Sequence, residues 1–257
     1  MKLLKLLLVL FTAHFSYSQK TIKVTYEQVN FYADHAFEAL PENQREIIKK
    51  QFTTPRVLQL TNNGEFSIYE TVTNSNITIP STETSNQNIQ NRGTNVVIPK
   101  IWVLKNFNIK KNYQLNTIEN VDYYIENDFP ENDLIYSTVE QIIDNYKCKL
   151  AYSISKDNSN DTIKYWYTEE IPILDAPFVM NKTPGLVLRF ETKKGAIYAT
   201  KIEFFDKKLI LASLNKKINI ISDDEFAILK KESLKSKSFT DEKGTIHTVE
   251  SKIYKSN

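Results

Sequence analysis

The stretch that decides the fold runs from Tyr146 to Glu191. It reads Tyr146-Lys147-Cys148-Lys149, then after a polar turn Tyr165-Trp166-Tyr167-Thr168-Glu169-Glu170-Ile171-Pro172, then Asp175-Ala176-Pro177-Phe178 and Thr183-Pro184-Gly185-Leu186-Val187-Leu188. The 257-residue chain has five glycines and eight prolines, yet Pro172, Pro177, Pro184 and Gly185 all fall in this one segment. Such clustering predicts a backbone path held in one shape. Before it, Ile163, Tyr165 and Tyr167 alternate with Lys164 and Trp166, the period of a strand with two unlike faces. After it, Leu186, Leu188 and Phe190 share a face opposite Val187, Arg189 and Glu191.

Working outward, the same strand texture continues in both directions. Lys193-Lys194-Gly195 predicts a hairpin turn with Gly195 in the left-handed region, followed by a strand with Tyr198, Thr200, Ile202 and Phe204 on one side. Upstream, Ile22, Val24 and Tyr26 alternate with Lys23 and Thr25, and Asn62-Asn63-Gly64 joins two strands, Arg56 to Thr61 and Glu65 to Val72. Further strands are expected over Val96 to Asn108, Tyr113 to Thr117, Val121 to Glu126, Tyr136 to Ile143 and Cys148 to Ser155. Two helices interrupt them. One runs from Pro41 to Phe52, with proline in the first turn. The other follows the capping box Ser222-Asp223-Asp224-Glu225 through about Lys235. A last strand is expected within Thr245 to Tyr254. Residues 73–95 are mostly Ser, Thr, Asn and Gln, too polar to offset their ordering entropy, and predict a mobile loop. Its Asn76-Ile77-Thr78 triplet would accept a glycan only in a eukaryotic secretory pathway.

Successive strands joined by short turns favour antiparallel pairing over βαβ crossovers. The expected class is α+β, mainly β: one domain over residues 19–257, with a large twisted, partly curled antiparallel sheet and one or two short helices.

The N-terminus predicts export. Lys2 and Lys5 precede an apolar run from Leu6 to Phe11, and Ser16-Tyr17-Ser18 places small residues where a signal peptidase reads. The apolar stretch is too short for a comfortable span, so none is expected after cleavage. The alternative, a buried N-terminal helix, lacks a reason for those flanks. Removing residues 1–18 takes two of the 33 basic residues and none of the 31 acidic ones, leaving a formal net charge of zero. That argues against nucleic acid, whose phosphates need a basic excess or stripe. Cys148 is the only cysteine. It is expected as a small buried side chain on a strand, the rival being a reactive thiol.

Catalytic signatures are missing from the sequence: no Gly-x-Ser-x-Gly elbow, no phosphate loop, no His-Glu-x-x-His and no Cys-x-x-Cys. Nothing asks for a metal or other cofactor. A hydrolase would have to assemble its site in three dimensions, from Glu170 with Asp175 or from His35 with His247. The preferred reading is a non-catalytic binding or assembly module. Trp166, set opposite the tyrosines, Tyr167, Glu170, Pro184 and Gly185 are its candidate binding residues. Its partner would be an outer-membrane or periplasmic protein, or an extended or apolar ligand.

The four blocks quoted at the start, in their order and spacing, resemble the GLPGLI family of exported Bacteroidetes proteins, named for a Gly-Leu-Pro-Gly-Leu-Ile motif. The resemblance covers about residues 146–192 and extends more loosely from Gln19 onward, including Val121-Asp122-Tyr123-Tyr124-Ile125-Glu126. Lys182 and Thr183 stand where the motif has Gly-Leu, Val187 where it has Ile, Glu169 in place of proline and Ala176 in place of glycine, the marks of a divergent member. The resemblance implies export and work near outer-membrane uptake or assembly machinery, and it assigns no activity. The export reading has a direct check. Mass spectrometry of the native protein should find a chain beginning at Gln19, whereas a retained Met1 would contradict it.

Overall fold

A computed structural model describes residues 21–72, 76–79, 94–97, 100–130, 134–154, 161–178, 182–233, 237–240 and 246–249. The expected leader lies outside them, as do residues 73–75 and 80–93 of the polar segment. The strands are β1 (Thr21–Asn30), β2 (Arg56–Asn62), β3 (Phe66–Thr71), β4 (Asn76–Ile79), β5 (Thr94–Val97), β6 (Trp102–Asn106), β7 (Lys111–Ile118) and β8 (Val121–Asp128). They continue as β9 (Ile135–Ile143), β10 (Tyr146–Ile154), β11 (Thr162–Thr168), β12 (Leu186–Thr192), β13 (Gly195–Phe205), β14 (Asn219–Ser222), β15 (Lys237–Thr240) and β16 (Ile246–Val249). Two helices, α1 (Glu42–Thr53) and α2 (Asp223–Ser233), complete the regular structure, with a 3-10 turn at Asp34–Phe37.

Twelve strands form one open sheet in the order β14-β8-β7-β6-β3-β2-β1-β13-β12-β11-β10-β9. The class is therefore α+β and mainly β. All neighbours are antiparallel except β14 and β8, so the sheet is mixed at one edge. β14 reaches that edge from β13 through residues 206–218, so β9 to β13 all lie between the two parallel strands in the chain. The run expected as one strand from Val96 is divided. β5 pairs with β4 in a separate two-stranded ladder and β6 joins the main sheet, with Pro99 between them. That ladder takes Asn76–Ile79 and the first residues of Thr94–Val97 out of the stretch expected as a loop. β15 and β16 form a second small ladder.

Local rules explain the turns. Gly64 has φ 88°, as the hairpin requires, and its N–H donates to Asn62 Oδ1 at 2.7 Å. In so glycine-poor a chain, other tight turns use side chains that tolerate positive φ: Glu119-Asn120 (51°, 66°) and Asp144-Asn145 (45°, 67°). Gly195 is different from expectation, because its φ is not positive. A Cβ there would instead overlap the Val29 carbonyl oxygen and lie 3.3 Å from Asn30 Cα. The capping box forms: Ser222 N–H donates to Glu225 Oε2 at 2.8 Å and Glu225 N–H to Ser222 Oγ at 3.2 Å.

The face assignment of β13 needs one correction. Tyr26 pairs with Ala199 but Thr25 with Lys201, so Thr200 is an extra residue in a bulge. The core side is therefore Ile197, Ala199 and then Ile202, while Phe204 is exposed.

The same strand opens the sheet. β13 follows β1 as far as Phe205, but pairs with β12 only between Gly195–Tyr198 and Arg189–Thr192. The first residues of β12 thus lose that neighbour. The Pro-rich segment takes its place: Val187 N–H donates to the Asp175 carbonyl at 3.0 Å, and the buried Tyr26 hydroxyl donates to the Val187 carbonyl at 2.7 Å. The segment lies over the sheet face made by Ile22, Val24, Tyr26, Leu58, Leu60, Tyr69 and Val103, which form one core with Trp166, Ile171, Leu186 and Leu188.

Register puts a polar row through that face. Ile22 is opposite Asn62, Asn62 opposite Ser67, Ser67 opposite Lys105, and Lys105 opposite Asn112. Lys105 is fully buried, and its ammonium group pairs with Asp175 Oδ1, also fully buried, and donates to the Ala176 carbonyl. Asn62 Nδ2 donates to Asp175 Oδ2 at 2.8 Å, and Ala176 N–H donates to Oδ1 at 2.8 Å. Burial holds the Lys105 pKa below its usual range, against the pull of Asp175.

Breaking one half of such a pair strands the other charge. Asp175→Leu should cost about 3–5 kcal/mol in urea unfolding. Lys105→Met combined with Asp175→Leu should cost less than Asp175→Leu alone. A double variant whose loss equals the sum of the two singles would contradict the coupling.

Candidate functional site

The five residues singled out by sequence do not all meet. Trp166 is 9% exposed and packs in the main core with Cys148, Leu186 and Leu188, so it offers no open aromatic face to a ligand. The alternation itself holds, because Tyr165 and Tyr167 lie in a second cluster with Ala151, Ala176 and Val187. What alternation cannot reveal is that both faces of β11 are covered. Trp166 is a core residue.

Gly185 is a close-approach position. A Cβ there would overlap the Thr168 carbonyl oxygen, with the carbonyl carbon at 2.7 Å and Glu169 Cα at 3.1 Å. The backbone around it is knitted together: Leu186 N–H donates to the Ile171 carbonyl at 3.1 Å and the buried Thr183 hydroxyl to the Gly185 carbonyl at 2.8 Å. Phe178 holds φ 59°, unusual for a bulky residue, while its ring stacks edge-on against Tyr69 (5.2 Å) and Phe190 (6.1 Å). Packing on two sides fixes a conformation the isolated residue would leave.

Tyr167 and Pro184 do reach a common feature. They line an open groove of about 650 Å³ with Tyr136, Ser137, Thr138 and Glu140 of β9, Lys149 of β10 and Glu169. The Tyr136 and Tyr167 rings meet edge-on at 6.1 Å, and the Tyr136 hydroxyl donates to the Lys182 carbonyl at 3.0 Å. Lys149 Nζ donates to Glu169 Oε2 at 2.7 Å, and Lys147 pairs with Glu140 at 2.8 Å. The Glu169 contact raises the Lys149 pKa, while burial, then Glu169, raises that of the Tyr167 phenol. The groove therefore offers an aromatic and prolyl floor with a neutralised polar rim. Tyr136, which the sequence does not single out, belongs to it; the only cue is an aromatic on a strand otherwise rich in Ser, Thr and Ile.

Of the two hydrolase pairs, Glu170 and Asp175 do not converge. Glu170 accepts the Lys147 N–H at 2.8 Å at an exposed strand end, whereas Asp175 is sealed beneath the sheet with Lys105. His35 is exposed in the 3-10 turn, and the side chain of His247 lies outside the described residues. No group of three or more metal-ligating side chains occurs among the described residues, and none of their helices is long and apolar enough to cross a membrane. The buried Cys148 thiol is pushed up to about 11 by desolvation and then by Glu170, so it is protonated near neutrality.

No family model and no curated protein matches this chain. Two crystal forms of PNGF-II are similar in structure. One has a TM-score of 0.53 at 14% identity, over 86% of this chain and 35% of that one. The other has a TM-score of 0.51 at 12% identity with the same coverage. An uncharacterized conserved protein from Thermus thermophilus aligns at a TM-score of 0.38 and 9% identity, over 85% of this chain and 99% of its own. The likeness to PNGF-II is one of fold, and this chain spans about a third of that chain's length.

The contact at Gly185 makes a sharp prediction. Gly185→Ala should lower unfolding stability by about 1–3 kcal/mol, because backbone rather than a flexible side chain must move. An unchanged melting temperature would contradict the close approach.

Proposed function

We propose that this chain is an exported, non-catalytic binding or assembly module, a divergent relative of the GLPGLI proteins working at the periplasmic side of the outer membrane or beyond. The observation that carries this reading is the groove between β9 and the Pro-rich segment. It sits beside the residues that carry the family resemblance, and the segment behind it is braced by Gly185 and the buried Asp175. A rigid wall with an aromatic floor suits an extended, partly apolar ligand, such as a peptide segment of a partner protein, because little order has to be imposed on binding. The rim acids Glu169 and Glu140 are engaged by lysines, which suits recognition by polar contact better than proton transfer.

Tyr136 replaces Trp166 as the residue to test. It is 52% exposed, so its loss should leave the fold intact. In a screen of extended peptides followed by NMR titration, shifts are expected at the Tyr167 and Lys149 amides. Tyr136→Ala should weaken binding about tenfold with little change in melting temperature. Peptides that bind both forms equally, or that never perturb these amides, would overturn the reading.

A further inference from the structure

The buried pair beneath the sheet leaves its ammonium group short of partners. Lys105 Nζ carries three N–H bonds and meets two acceptors, Asp175 Oδ1 and the Ala176 carbonyl. Two more oxygens flank it in the same cross-strand row, Ser67 Oγ and Asn112 Oδ1. Both are buried, and neither has a hydrogen-bond partner among the described residues, so the ammonium group bonds neither. Lys105 and Asp175 are themselves fully buried, and the amine is committed to the carboxyl group and to the backbone beside it. We propose that Lys105 and Asp175 condense to an intramolecular isopeptide bond once folding has brought them together, the ion pair being its precursor.

The step balances without a co-reactant. A buried site disfavours charge, so a proton passes from the ammonium to Asp175 Oδ1 and leaves a neutral amine beside a carboxylic acid. Burial already holds the Lys105 pKa below its usual range, which favours the free amine. The Nζ lone pair then forms a bond to Asp175 Cγ. Charge developing on Oδ2 is met by Asn62 Nδ2, which already donates to that oxygen at 2.8 Å. The Cγ–Oδ1 bond breaks, and Oδ1 departs as water with two of the three protons the ammonium began with. The third stays on the amide nitrogen, where the Ala176 carbonyl is in place to accept it. Nothing is oxidised or reduced.

Lys and Asp side chains in water do not condense, because solvation keeps both charged and nothing holds them together. Here the fold holds the reacting groups in contact, which replaces a bimolecular encounter by an intramolecular one. The product also has fewer needs than the ion pair. An amide nitrogen carries one N–H and no charge, so one acceptor meets it. The bond would tie β6, an interior strand of the sheet, to the Pro-rich segment and close a loop of 70 positions. With a single cysteine the chain cannot form an internal disulfide, and an isopeptide bond restricts the unfolded chain in the same way. Neither residue lines the groove, so this proposal and the binding reading fail separately.

Intact mass spectrometry of the folded full chain, denatured just before measurement, tests the proposal. Its mass should fall short of its sequence, counted from its own N-terminus, by one water. A tryptic digest should yield residues 101–110 joined to 165–182, because Lys105 is no longer cleaved and its nitrogen is bound to Asp175. Lys105→Arg keeps the positive charge but not the nucleophilic amine, so that variant should have its full mass. Wild-type protein of full mass would overturn the proposal, as would a missing water that maps to other residues or persists in Lys105→Arg. A joined peptide carrying Asn62 in place of Asp175, formed with loss of ammonia, would overturn it as well.

Discussion

The structure depends on one buried ion pair. Lys105 on β6 and Asp175 in the Pro-rich segment are both removed from water, and each has its remaining valence met by Asn62 or by the Ala176 backbone. Desolvating two charges opposes folding strongly, so this arrangement persists only where geometry returns most of that cost as attraction and hydrogen bonding. It fixes where the segment must lie. A hydrophobic anchor would tolerate a small sideways shift; a carboxylate shared by an ammonium, an amide and a backbone N–H would not.

The unusual features of the segment follow from that constraint. β13 leaves β12 after Tyr198 to follow β1, and the vacated edge of β12 has to be satisfied by something other than a strand. Asp175 supplies a carbonyl, Tyr26 a hydroxyl, and Ile171 a carbonyl to Leu186. Passing the chain through so small a gap needs Gly185 against the Thr168 backbone and Phe178 at positive φ. The strain at Phe178 is offset by two aromatic contacts and the core around them.

Much of this is legible in the sequence wherever the rule is local. The hairpin at Asn62-Asn63-Gly64, the capping box at Ser222, the alternation of β11 and the mainly β class all rest on residues within a few positions of each other. Non-local features are not legible. Lys105 reads as an ordinary strand lysine until Asp175, seventy positions away, is placed beneath it. A sign does exist: Val103 and Lys105 share a face, and Val103 is core. Alternation misplaces Trp166 because it reports two faces but not whether both are covered. The bulge at Thr200 shifts the face pattern of β13 without any glycine or proline to announce it. The groove is legible only through Tyr167 and Pro184, since its other wall comes from β9.

Ile171, Asp175, Ala176, Thr183 and Gly185 thus belong to the core and are not parts of a surface loop laid over it. Native-state hydrogen exchange tests this directly, because it reports the free energy of opening amide by amide. The amides of Asp175 and Val187 should exchange only through global unfolding, with the same protection and denaturant dependence as those of Val24 and Leu60. Exchange of Asp175 and Val187 by a low-energy local opening, while Val24 and Leu60 stay protected, would contradict the account.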